Sequence, residues 1–155
     1  MPDRKPAKGA TGRDTTSEVW TDEERAAMQE HARDMKAQKA RGAKKADGLA
    51  DLRAKIAAMP DKDRVMAERI HEVVMAAAPD LEPRTWYGMP AYNRNGKLIC
   101  FFQAAAKFKA RYATFGFEEN AKLDEGSMWA TSWALTELTA ADEKRITDLV
   151  KRAVT

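Results

Sequence analysis

Residues 85–103 read Thr85-Trp86-Tyr87-Gly88-Met89-Pro90-Ala91-Tyr92-Asn93-Arg94-Asn95-Gly96-Lys97-Leu98-Ile99-Cys100-Phe101-Phe102-Gln103, and this stretch decides the fold. Asn95-Gly96 is a pair that tight hairpin turns favour, because both residues accept positive φ at little cost. It precedes the apolar run Leu98 to Gln103, so a hairpin around Asn93 to Gly96 is predicted, with Thr85 to Met89 as a short extended piece before it. Eleven of the twelve aromatic residues lie between Trp86 and Trp133, which places the core sheet in this window. Phe108 to Phe117 is predicted as the next strand, with Phe108, Ala110 and Tyr112 on one side and Lys109, Arg111 and Ala113 on the other. Met128 to Leu135 is predicted as the last strand, with Trp129 and Trp133 on the same face.

Outward from the sheet, the period changes to that of helices. Thr21 and Glu24 have capping-box spacing, and good helix formers follow to about Lys45, with Gly42 and Gly48 bracketing the end. Little but Met28, Met35 and alanines forms an apolar side, so this helix has no evident core stripe. Leu49, Leu52, Ile56 and Met59 align on one face of a second helix that stops at Pro60. Met66, Ile70, Val73, Val74 and Ala77 do the same from Asp61 until Pro79. Thr139 with Asp142 repeats the capping-box signal before Ile146, Leu149, Val150 and Ala153. Helices flanking an unbroken series of strands predict an α+β fold, with an antiparallel sheet and helices packed on one of its faces.

The chain has 155 residues, the size of one domain with a tail. The expected divisions are a disordered tail over 1–20, a charged helical extension over 21–48 and the α+β domain over 49–155. A formal charge of +3 declares no partner. No run approaches about 18 uncharged apolar residues, so no membrane span is expected. The polar start is not a secretory signal, and a cytoplasmic location is the expectation.

The common catalytic constellations are missing. There is no phosphate-cradling glycine loop, nucleophile elbow or His-Glu-x-x-His helix. His31 and His71 fall on different helices, and Cys100 alternates with Leu98 and Phe102 as a small buried residue would. No nucleophile, base and orienting group can be named together, so no reaction is assigned.

Carboxylates offer oxygen ligands to hard cations. Asp61, Asp63, Glu68 and Glu72 lie along the helix that starts at Asp61, and Glu118, Glu119, Asp124 and Glu125 follow Phe117. Lys62, Arg64, Arg69 and Lys122 are interleaved, so a solvated face of local ion pairs is the alternative reading. The basic stretch Arg33, Lys36, Lys39, Arg41, Lys44 and Lys45 could track a phosphate backbone without sequence preference, or could simply be a soluble helix face. Trp86, Tyr87, Met89, Pro90, Tyr92 and Tyr112, with Lys107, Lys109 and Arg111 and the Trp129 and Trp133 pair on nearby strands, could form a pocket with an aromatic floor and a cationic rim. Alternatively, these rings are core.

Trp86-Tyr87-Gly88-Met89-Pro90-Ala91-Tyr92, the Gly96-Lys97 turn, Phe101-Phe102 and Lys107-Phe108-Lys109 leading to Tyr112 resemble, as an ordered set, the YdhG-like bacterial family. The likeness covers roughly Leu49 to Val154. This family is a domain of unknown function that includes a frataxin-like iron chaperone. The resemblance implies a compact α+β domain of frataxin-like outline in a bacterial cytosol. It also implies a non-enzymatic binding protein handling labile ferrous iron, for which Asp61, Asp63, Glu68 and Glu72 are the candidate ligands, with no cofactor required. Two other expectations stand beside it. One is a small-molecule or anion-binding regulatory domain using the aromatic pocket. The other is a nucleic-acid or protein accessory acting through the basic helix.

Overall fold

The computed structural model describes residues 21–41 and 45–155. The expected tail over 1–20, together with Gly42 and Lys44, lies outside the described residues. Among those described, the chain forms α1 (Asp22–Arg41), α2 (Lys45–Ala57) and α3 (Asp61–Ala77). Then come β1 (Glu82–Trp86), β2 (Met89–Arg94), β3 (Lys97–Gln103), a 3-10 turn (Ala105–Phe108), β4 (Ala113–Phe117), β5 (Ser132–Leu135) and α4 (Ala140–Ala153). The strands follow one another in the order β1-β2-β3-β4-β5, every neighbouring pair antiparallel. The α+β class with an antiparallel sheet is therefore correct.

Both capping boxes form. Thr21 Oγ1 accepts from the Glu24 N–H at 3.0 Å while Glu24 accepts from the Thr21 N–H at 2.9 Å. Thr139 and Asp142 exchange the same pair of bonds at the start of α4. Alternation in β2, β3 and β4 sends Tyr92, Cys100, Phe102, Phe115 and Phe117 into one cluster with Leu52, Ile56, Met66, Ile70, Val74, Ile146 and Val150 from the helices. Each fully buried Leu or Phe there contributes about 2 kcal/mol.

Four expectations change. The extended piece at Thr85 to Met89 is a second hairpin, because the chain reverses at Tyr87-Gly88 and pairs Trp86 with Met89. Gly48 does not end a helix. It lies inside α2, where a Cβ would collide with the carbonyl oxygen of Pro83, so its lack of a side chain brings α2 against β1. The division expected at residue 48 thus falls within a helix. Phe108 to Tyr112 is not strand, since the 3-10 turn ends at Lys109 in the left-handed region (φ 53°) and pairing begins only at Ala113. Met128 to Thr131 also precede the strand. Met128 is 88% exposed, whereas Trp133 packs edge-on against Phe117 within the body.

Candidate functional site: the Tyr87-Gly88 turn beneath α1

The β1–β2 turn places two consecutive residues at positive φ, Tyr87 at 52° and Gly88 at 75°, as a type I′ hairpin requires. Asn95-Gly96 meets the same requirement at the β2–β3 turn with the usual residues. A tyrosine in this region is uncommon and needs support from its surroundings. That support comes from two sides. Trp86 meets the Tyr87 ring edge-on at 5.1 Å, and His31 of α1 stacks on it with centroids 4.0 Å apart. Phe101 continues the aromatic surface at 5.2 Å from Trp86, its ring lying across Gly116.

Helix α1 reaches this turn with carboxylates. Glu30 Oε2 accepts from Lys55 of α2 at 2.8 Å, and its Oε1 accepts from Lys107 of the 3-10 turn at 2.9 Å. One turn of helix later, Asp34 Oδ2 accepts the backbone N–H of Gly88 at 3.0 Å. Two turns before Glu30, Glu23 pairs with Lys109 at 2.9 Å. Glu23, Ala27, Glu30 and Asp34 are spaced four, three and four residues apart, which is a single helix face. Only Ala27 of this face is a buried apolar residue. A Cβ on Gly88 would strike the Glu30 carboxylate and come within 3.0 Å of Lys107 Nζ, so the glycine serves both the turn and the approach of α1.

The electrostatics follow from this packing. Burial pushes the Glu30 carboxyl up, but hydrogen bonds from Lys55 and Lys107 outweigh it and hold the group below the usual carboxylate range. Burial lowers the Arg84 guanidinium, and the charge of Asp34 opposes that shift. Beneath the stacked rings, His31 Nδ1 is buried without a hydrogen-bond partner.

The residues expected to share an aromatic pocket are distributed over several surroundings. Trp86 and Tyr87 belong to the turn just described. Met89 and Pro90 are buried beside it. Tyr92 is wholly buried, its hydroxyl 3.0 Å from His71 Nδ1, because strand alternation turns it toward the helices. Lys109 faces Glu23 on α1, and the guanidinium of Arg111 lies 5.2 Å from the ring of Tyr112, both exposed. The strand expected through this last pair begins only at Ala113, after the 3-10 turn. Of the expected rim cations, Lys107 stands at the Tyr87-Gly88 turn beside Glu30, where Lys55 of α2 joins it.

The four α3 carboxylates do not converge. Asp61 and Glu68 both flank Arg64, at 3.3 and 3.5 Å, and Glu72 binds Arg69 at 2.6 Å. Asp63 is buried, accepting the N–H groups of Ala105 and Ala106 at 3.3 and 3.1 Å. Among the described residues, no group of three or more His, Cys, Asp or Glu side chains stands close enough to hold a metal ion. The ion-paired helix face left open by the sequence is the arrangement found.

Of the basic stretch, Arg33 and Lys36 are exposed, and the side chains of Lys39, Arg41, Lys44 and Lys45 lie outside the described residues. Burial raises the Cys100 thiol, so it holds little thiolate at neutral pH, in keeping with a core residue. No described helix is long and apolar enough to cross a membrane.

Comparison with known proteins adds no relative: no family model, curated protein or solved structure matches this chain.

Sequence reasoning placed Lys107 on the rim of the aromatic pocket but missed Glu30, His31, Asp34 and Lys55 as its neighbours. The available signal was the spacing of Glu23, Glu30 and Asp34 on one face of a helix without a core stripe. A polar docking face leaves no hydrophobic periodicity to detect.

Proposed function

We propose that the chain is a non-enzymatic binding domain for a planar organic anion, with its recognition site at the Tyr87-Gly88 turn and α1 occupying that site in the ligand's absence. The observation that carries the reading is the Glu30 carboxylate bridged by Lys55 and Lys107 at 2.8 and 2.9 Å. Two ammonium groups from separate elements converge on one anionic group, beside a backbone donor that Asp34 takes up. A ligand with one or two carboxylate or phosphate groups satisfies the same donors, and a flat ring replaces His31 on Tyr87. Displacement is favoured because, among the described residues, α1 buries only Ala27 as an apolar side chain and leaves His31 Nδ1 unsatisfied. The four α3 carboxylates do not enter this reading, since each serves its own neighbour.

The test is calorimetric titration of the full chain with isophthalate and with inorganic phosphate. Weakening the internal competitor by Glu30→Gln with Asp34→Asn raises the population of the open site, so isophthalate binds about tenfold more tightly than to wild type. Adding Lys55→Met and Lys107→Met removes that gain. Equal affinity in all three proteins, or no binding to the Glu30 and Asp34 variant, rejects the site. Phosphate matching isophthalate rejects the aromatic contribution.

A further inference from the structure

We infer that the outer edge of β5, with the acidic groove at its start, receives an extended basic segment of a partner protein as an added strand. This inference is independent of the turn beneath α1.

The two edges of the sheet are protected unequally. β1 carries Pro83 between Glu82 and Arg84 and is approached closely by α2 at Gly48, so a foreign strand finds neither a free ladder nor an uncharged surface. Among the described residues, β5 pairs with β4 on one side and no strand lies on the other. Its sequence, Ser132-Trp133-Ala134-Leu135, contains no lysine or proline to discourage pairing. Indeed, Gly126 to Thr136 holds no charged residue, in a chain of which 33% is charged. Most of this segment is exposed, including Met128 at 88% and Trp129 at 38%. An uncharged, exposed strand edge is an aggregation hazard unless something occupies it.

Charge selects the occupant. The segment leads out of a groove of about 530 Å³ lined by Glu118, Glu119, Asp124, Met128, Trp129 and Thr131, among others. Among the described residues, none of these three carboxylates forms an ion pair, although neighbouring Glu125 is paired with Arg152 at 3.3 Å. Thr131 is both a wall of this groove and the residue before β5, and its carbonyl already accepts from the Phe117 N–H at 2.7 Å, prolonging the ladder. A strand added to β5 therefore extends past Thr131 at the wall of the groove. Main-chain bonds supply affinity there, while a Lys or Arg set against the carboxylates and the face of Trp129 supplies selectivity. The mouths of two copies carry the same charge, so a second copy meets repulsion where a basic segment is attracted.

Three fluorescein-labelled peptides of alternating valine and threonine test this against the full chain by anisotropy. One is flanked by Lys-Arg at both ends, one by Glu-Glu, and the third is the basic peptide N-methylated at alternate residues. The basic peptide binds saturably, and the other two bind at least about tenfold more weakly. Glu118→Gln with Glu119→Gln and Asp124→Asn weakens the basic peptide by a similar factor and flattens its salt dependence. Trp129→Ala, an exposed change that spares the core, also weakens it. Equal binding of the Glu-flanked peptide, retained binding of the methylated one, or unchanged affinity in the triple variant overturns the inference. So does sedimentation showing a wild-type dimer that Ala134→Lys dissociates, because a second copy would then hold the edge.

Discussion

The imidazole of His31 lies flat on the ring of Tyr87, with centroids 4.0 Å apart and planes 18° apart. This pair joins a helix that, among its described side chains, buries only the apolar Ala27 to a turn residue in a conformation tyrosine seldom adopts. Polar contacts supply the rest of the attachment, so it responds to single charge changes. Glu30→Gln weakens the docking of α1 by about 1 kcal/mol, roughly fivefold in its opening equilibrium. Amide exchange over Asp22 to Arg41 accelerates while exchange in β2 and β3 stays the same. Acid has the same effect. The Glu30 carboxyl is held below its ordinary 4.5 in the folded chain, so its contribution is complete above that value and is lost as pH falls through the depressed one. Glu23, held down by Lys109, acts in the same window. Exchange in α1 that is unchanged between pH 7 and pH 3 contradicts this account.

Gly48→Ala reverses the usual helix preference. Alanine in a helix interior is ordinarily better than glycine by about 1 kcal/mol. Here the added methyl meets the Pro83 carbonyl, which is backbone and cannot swing aside. Urea denaturation is expected to show a loss of about 1 to 3 kcal/mol. A gain in stability would mean that α2 stands farther from β1.

The His71–Tyr92 contact predicts a second pH dependence. Burial, aided by the charge of Arg53 and opposed by Glu72, lowers the folded imidazole below its ordinary 6.5. The neutral ring is the folded form, so stability is complete above 6.5 and declines as pH falls toward the lowered value, where the unfolded chain alone takes the proton. Tyr92→Phe keeps the volume but leaves His71 Nδ1 without the hydroxyl, costing about 1 kcal/mol at pH 7.5. His71→Gln flattens the slope below pH 6.5 in the same denaturation series. A slope that survives this change assigns the dependence to other groups.

Asp63 and Asp61 separate packing from surface charge on one helix. Asp63→Ala strips two backbone N–H groups of the 3-10 turn of their acceptor and costs about 2 kcal/mol. Asp61→Ala, at a fully solvated side chain, stays within about 0.5 kcal/mol. Thermal melts of the two variants measure the difference, and equal melting temperatures would remove the capping role.

The sequence by itself determined every element whose signal is local. Thr21, Thr139, Pro60 and Pro79 bound their helices through groups within four residues of them, and Asn95-Gly96 specifies its turn by backbone preference alone. The helical stripes are legible because burial repeats at the helix period. Tyr87-Gly88 escaped because tyrosine carries no turn preference, and its left-handed backbone depends on His31, which is distant in sequence. Residues 108–112 escaped because alternation of large and charged side chains also fits a 3-10 turn capped by Asp63. The candidate site was the least legible part. Glu30, Lys55, Lys107 and Gly88 come from four separate elements, and charged side chains leave no periodic trace of where they meet. Only the tertiary structure could decide that meeting, because an ion pair is specified by distance in space, whereas a hydrophobic stripe is specified by spacing along the chain.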